Sequence, residues 1–180
     1  RYFIAGVQEK TFNNFSPRAG VQFHVNPDIM FYGSWSRGYK TGGWTTGHSN
    51  PLPSAPDFDE EEAESFEIGM KSYFANRTVL LNVALFTTDY SGIQLNFQQG
   101  VSPTIQNAGD ARISGAEVEF SIVPDPPFRV DGSEGIIDPE YTSVVPQAEV
   151  AASPLQAGVF EGAPLPKTPD FTFNLSPRVR

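Results

Sequence analysis

The side chains best suited to capturing a small molecule lie close together: Arg37, Tyr39, Lys40, Trp44 and His48. Guanidinium and ammonium groups take carboxylates, and the rings offer flat faces for stacking. Such a set would bind a ligand without making or breaking a bond. A plainer reading places Tyr39 and Trp44 in an aromatic girdle beside a membrane and leaves the rest as solvated loop; it is the favoured one. Asp57, Asp59, Glu60, Glu61, Glu62 and Glu64 supply hard oxygen donors of the kind Ca²⁺ takes. Their spacing lacks the glycine of a helix–loop–helix calcium site, and a solvated strand entrance is the favoured reading. His24 has no second histidine at ligand spacing. Glu117 and Glu119 share a face through alternation alone, which does not make an acid–base pair without a pocket. Asn76-Arg77-Thr78 fits a glycosylation sequon by chance. Phosphate-binding loops, serine elbows and zinc-protease motifs are missing. There is no Cys, which excludes disulfides, zinc–thiolate sites and thiol nucleophiles. The residues call for no enzyme activity, no cofactor and no metal.

The elements that carry these residues are strands. Hydrophobic residues make up 39% of the 180 residues, below the usual globular share, yet aromatic residues reach 13%. Modest apolarity with much ring surface suits a lipid-facing wall bordered by aromatic girdles. The formal charge is −9 and no run of Lys and Arg occurs, so nucleic acid is not a partner. No stretch of about 18 apolar residues is present, hence no transmembrane helix. The sequence starts at Arg1 and stops at Arg180 within strand-like material, and both ends read as cuts.

The hydrophobic period is two. Phe15, Pro17, Ala19, Val21, Phe23 and Val25 fall on one face, with Ser16, Arg18, Gly20, Gln22 and His24 on the other. Asn26-Pro27-Asp28 predicts a tight turn. Further strands are expected over 29–40, 63–74, 78–97 with a break near Ser91-Gly92, 104–123, a poorly alternating 128–141, and from Phe171 onward. Phe66, Ile68, Met70 and Phe74 share a face, as do Val79, Leu81, Val83 and Leu85, and Ala116, Val118, Phe120 and Ile122. Leu80, Ala84 and Phe86 make the opposite face partly apolar, which packing against an internal plug or a bulge would explain.

Between the strands, short turns alternate with longer loops: 41–62 and 142–170 are long, and 98–103 is of medium length. A transmembrane barrel has this asymmetry, and a soluble sandwich gives no reason for it. The expected fold is therefore all-β, an antiparallel up-and-down transmembrane β-barrel present as about seven strands of a larger barrel. On this reading Phe23, Phe66, Ile68, Val83, Phe120 and Phe173 point outward. A soluble β-rich binding module, or a passive porin-like wall, is the alternative.

Five pieces taken in order, the first in two parts, add a family resemblance: 15–21 with 31–43; 64–72; 81–90; Asn107-Ala108-Gly109-Asp110-Ala111; and Ser114-Gly115-Ala116-Glu117-Val118-Glu119. This pattern resembles the barrel of TonB-dependent outer-membrane receptors from Phe15 to Ile122, and more weakly over 171–178. The resemblance implies a barrel of about 22 strands with a plugged lumen. It also implies a Gram-negative outer membrane, its lipid, TonB and a small-molecule nutrient as partners, and active uptake, with a ferric siderophore placed before cobalamin or a glycan. The plug domain with its TonB-contacting segment has no counterpart in these residues, nor has the terminal aromatic of such barrels, and 128–141 departs from the family hairpin.

Overall fold

The computed structural model describes residues 8–45, 56–99, 102–124, 127–145 and 159–179. In chain order the strands are β1 Arg18–Asn26, β2 Ile29–Lys40, β3 Gly43–Trp44, β4 Asp57–Phe58, β5 Glu61–Phe74 and β6 Val79–Ser91. They continue as β7 Gln94–Gln99, β8 Ser102–Asn107, β9 Gly109–Ile122, β10 Phe128–Val144 and β11 Phe171–Val179. Seven form one sheet in the order β1-β2-β5-β6-β9-β10-β11, every pair antiparallel. The remaining four make two ribbons, β3 with β4 and β7 with β8.

Registered rows show why the sheet has two chemistries. One row runs Phe23, Phe31, Met70, Val83, Val118, Glu134 and Phe173; the next runs Val21, Gly33, Ile68, Leu85, Ala116, Ile136 and Phe171. On the opposite face a row runs His24, Met30, Lys71, Asn82, Glu119, Ser133 and Asn174. Side chains alternate across a strand, so antiparallel registry carries each local pattern across the sheet. The six residues predicted to point outward therefore share one face. Phe23 is 66% exposed, Ile68 62% and Phe173 59%. In a soluble sandwich these side chains would lie between two sheets. As a lipid-facing wall they need no cover.

Close packing within the wall uses ring-over-glycine pairs. The Phe120 ring lies over Gly132 on the apolar face, and the Tyr32 ring lies over Gly69 on the polar face. Each glycine leaves room for a neighbouring strand's ring. The polar face is a bonded surface: Tyr32 Oη donates to Glu67 Oε1 at 2.6 Å, Lys71 Nζ sits 5.6 Å from the Tyr32 ring centre, and Asn82 Nδ2 lies 3.4 Å from Glu119 Oε2.

Short connections collect at one end. The Asp28 N–H donates to Asn26 Oδ1 at 2.8 Å, the self-capping turn that the Asn-Pro-Asp sequence predicts. Ala75, Asn76 and Arg77 all take positive φ, and Arg77 Nε reaches Asp28 Oδ1 at 3.2 Å, tying two turns together. The Asp125-Pro126-Pro127 segment, whose prolines predict the short turn after β9, lies partly outside the described residues. Long connections collect at the other end, and here the sequence reading needs correction. The expected loop 41–62 carries ribbon β3–β4, and β5 begins at Glu61. Residues 98–99 and 102–103 of the expected loop 98–103 belong to β7 and β8. Strand 78–97 does break at Gly92, whose φ of +65 turns the chain out of the sheet. Strand 104–123 also breaks, at Ala108, between β8 and β9. β10 extends to Val144, beyond the expected 141. Phe15 lies outside β1, since Pro17 has no N–H to pair; its carbonyl still accepts the Arg37 N–H at 3.0 Å.

The enclosed apolar cluster of the described residues sits at the long-loop end rather than under the sheet. It comprises Ile93, Phe97, Ala108, Ala111, Tyr141 and Ala163, with Tyr90, Leu95, Val144, Val145, Val159 and Leu165 packed against it.

Candidate ligand-gathering end

The strand period divides the sequence-predicted set. Arg37 and Tyr39 continue the apolar face above its belt, opposite Glu64 and Glu62, while Lys40 lies on the polar face opposite Glu61. Trp44 belongs to β3 and pairs with Asp57. His48 lies outside the described residues. The four described residues are not brought to one point. Arg37 forms an ion pair with Glu62, and Lys40 Nζ stands 3.9 Å from Glu61 Oε2.

Most of the acid cluster is committed to local partners. Trp35 Nε1 donates to Glu64 Oε1 at 2.7 Å, and Asn14 Nδ2 donates to Glu62 Oε1 at 2.8 Å. Glu61 Oε2 accepts the Gln94 backbone N–H at 2.7 Å. Lys10 Nζ bridges Asp57 Oδ2 at 3.0 Å and Asp59 Oδ1 at 2.6 Å. This arrangement spreads the carboxylates along a rim instead of converging them on a cation. Among the described residues no group of three or more His, Cys, Asp or Glu could hold a metal ion. His24 lies on the polar face opposite Met30, and Glu117 and Glu119 are registered with Ala84 and Asn82.

The Lys10 bridge ties residues 8–17 to the base of ribbon β3–β4 and carries a pH prediction. The hydrogen bond from the ammonium holds the Asp57 carboxyl below the usual carboxylate range. The bonds to Asp59 and then Asp57 hold Lys10 above the usual lysine value. A lowered carboxyl contributes stability above its unfolded pKa and loses it as pH falls through the lowered value. A raised ammonium contributes below its unfolded pKa and loses it as pH rises through the raised value. Cleavage of residues 8–17 by an acid-tolerant protease is therefore expected to increase as pH drops from about 6 to about 2. An unchanged rate across that interval would remove the bridge from the account. Both partners are solvent-exposed, so added salt weakens the tether.

Above the belt, the apolar face changes chemistry within one row. Thr87 and Ser114 hydroxyls lie 3.0 Å apart, and Arg112 Nε donates to Asp89 Oδ1 at 2.7 Å. Charged pairs thus begin where the apolar rows stop. The belt on β6, Val79 to Leu85, covers about 20 Å of strand at roughly 3.3 Å per residue. A tilted transmembrane strand needs about 9–11 residues, which β2, β5, β6, β9 and β10 provide.

This two-faced sheet, with turns at one end and loops at the other, agrees with the comparisons. The sequence matches the family described as TonB dependent receptor-like, beta-barrel, over residues 2–180. The chain belongs to the TonB-dependent receptor β-barrel family. It is 26% identical over 127 residues to the metal-pseudopaline receptor CntO of Pseudomonas aeruginosa, covering 71% of this chain and 17% of that receptor. The chain thus spans about a sixth of the length of this curated relative. Among solved structures, the ferric yersiniabactin uptake receptor FyuA of Yersinia pestis aligns with a TM-score of 0.71 at 23% identity, over 90% of this chain and 22% of that one. The siderophore receptor PiuA of Acinetobacter baumannii aligns with a TM-score of 0.62 at 20% identity, over 88% and 22%. These likenesses confirm the all-β, partial-barrel reading. As a TonB-dependent receptor barrel wall, the chain is an outer-membrane element of a Gram-negative bacterium.

Sequence reasoning missed the residues that knit the loops. Asn107 and Gln94 reach across to the 41–60 connection through side-chain hydrogen bonds, and Asp110 and Ser143 link the loop ends of β9 and β10. The Asn107-to-Ala111 motif was visible as a family signature, but its structural task was not. Its partners lie up to 48 positions away.

Proposed function

We propose that this wall serves active uptake of a ferric siderophore across the outer membrane. The observation that carries the reading is the seven-strand sheet of a TonB-dependent receptor barrel, with every long connection at one end and a polar face beneath it. The receptor names of the relatives and structural neighbours support the substrate class. On this reading the other strands of the barrel and a plug domain lie outside these 180 residues. The plug faces the Tyr32–Glu67–Lys71 side and carries the contact with TonB. Lys40, Trp44 and His48 are the ligand contacts we propose from the sequence set. Arg37 and Tyr39 belong to the rim above the lipid belt. The chain supplies walls and loops, with no bond chemistry.

The test uses the full-length receptor expressed in cells with and without TonB. Outer-membrane fractionation, heat-modifiable electrophoretic mobility and accumulation of radio-iron supplied as ferric siderophores are measured together. Uptake that disappears without TonB supports the proposal. Heat-modifiable protein in the outer membrane with no ferric siderophore accepted would leave the barrel standing and remove the substrate class.

A further inference from the structure

Two of the three long connections meet around one side-chain amide, and the third joins through the adjoining backbone, where the Val145 N–H donates to the Ala108 carbonyl. Asn107, the last residue of β8, donates through Nδ2 to the carbonyls of Gly92 at 2.7 Å and Asp59 at 3.1 Å. Its Oδ1 accepts the Asp59 N–H at 2.7 Å. A primary amide has two donors and one acceptor oxygen, so the contacts across β4–β5 and the β6 break occupy most of its capacity. The Gly92 N–H continues the chain to Asp110 Oδ1 at 3.0 Å, and Asp110 Oδ2 accepts from Ser143 Oγ at 2.9 Å near the top of β10.

Gln94 makes a parallel strap. Its Nε2 donates to the carbonyls of Asp59 at 2.9 Å and Thr41 at 3.1 Å. Backbone bonds complete the set: Ala108 N–H to Ile93 O, Val145 N–H to Ala108 O, and Gly162 N–H to Tyr141 O, each at 2.8 Å. Phe97 and Tyr141 are fully enclosed within this set, in the apolar cluster shared by residues of β7, β9, β10 and the 159–165 segment. Lifting the β7–β8 ribbon alone would strip partners from the backbone of Asp59 and Gly92 and uncover that cluster. Local opening is therefore coupled across connections that are distant in sequence.

We propose that Asn107 is a positioning residue that makes the three outer connections one ligand-gathering unit, which rearranges as a whole. The ligand half of this inference rests on the uptake reading above; the mechanical half does not. Asn107→Asp retains the acceptor for the Asp59 N–H but loses both donations and sets a carboxylate against two carbonyls. Asn107→Leu loses all three bonds.

The experiment is hydrogen exchange read by mass spectrometry on the ligand-free full-length receptor in lipid nanodiscs. In Asn107→Leu, exchange is expected to quicken about ten-fold, as losing one or two net hydrogen bonds would produce. The change should appear in 56–60, 92–108 and 139–145 together, with the belt portions of β5 and β6 unchanged. Quickening confined to 92–108 would overturn the single unit. Should that variant fail to assemble, Gln94→Ala decides: quickening in 41–45 and 56–60 as well as 92–99 supports the unit, and quickening in 92–99 alone overturns it. For the ligand half, radio-iron uptake is measured with Asn107→Asp. A rise of about ten-fold in the half-saturating ferric siderophore concentration at unchanged maximal rate supports positioning, since uniform binding alone has then been lost. An unchanged half-saturating concentration overturns it. If the wild-type receptor takes up no ferric siderophore, the uptake reading fails, and the exchange pattern still decides the mechanical unit.

Discussion

The full-length receptor carrying Phe120→Asp is expected to lose about 3 kcal/mol of stability in lipid: roughly 2 from a carboxylate on the hydrocarbon-facing surface and about 1 from lost ring packing. Phe120 lies on the apolar face of β9, registered with Leu81 on one side and Gly132 on the other, within the belt bounded by Thr87 and Ser114. Its ring also covers Gly132, which contributes no side chain of its own. The substitution therefore adds a charge facing lipid and opens a gap between β9 and β10. Urea titration in defined vesicles, followed by heat-modifiable mobility, reads the change. Gln22→Ala, on the polar face of exposed β1, is the control and is expected to shift the midpoint little. Equal midpoints for both variants would contradict the assignment of the lipid face.

Gly109→Ala has the second large expected effect, about 3 kcal/mol, from a strained backbone and a forced displacement of β10. Gly109 adopts φ +144, a conformation that L side chains rarely take. A Cβ there would run into the Ser143 carbonyl and stand 2.8 Å from Val144 Cα. Those obstacles are backbone atoms of the adjacent strand, so no flexible side chain can yield. The damage should centre on the long-loop end, where the Ile93 N–H donates to the Gly109 carbonyl at 2.8 Å and Asp110 meets Ser143. Protease cutting of the loops in intact cells should rise while the belt strands remain protected. A variant with wild-type loop protection and stability would show that β10 can move aside without cost.

These two positions differ in how visible they are before folding. Phe120 could be assigned to the outer face from Ala116, Val118 and Ile122 alone, because facing within a strand follows from local backbone geometry. The importance of Gly109 depends on Ser143 and Val144, whose backbone lies against it only after β10 has paired with β9. The division of Arg37 and Tyr39 from Lys40 was also legible, since odd and even positions of one strand face opposite ways. Treating those residues as one cluster overlooked that period.

β10 itself was hard to read because Gly132 and Gly135 carry no side chain and Glu134 stands on the apolar face between Val118 and Phe173. Nothing in that stretch alternates clearly, and its register comes from its neighbours. The two ribbons escaped notice for a related reason. β3 and β4 are two residues long, too short to display any period, and pairing across the intervening segment defines them.

By itself the sequence determined the two-faced strands, their antiparallel succession and the one-sided placement of long connections. These depend on side-chain polarity at period two and on the distance between turn signals, both local properties. Only the tertiary structure decided that the long connections are tied together at their bases. That decision depends on hydrogen bonds from Asn107 and Gln94 to distant backbone groups and on shared burial of Phe97 and Tyr141, interactions that exist only once the sheet has brought those segments together.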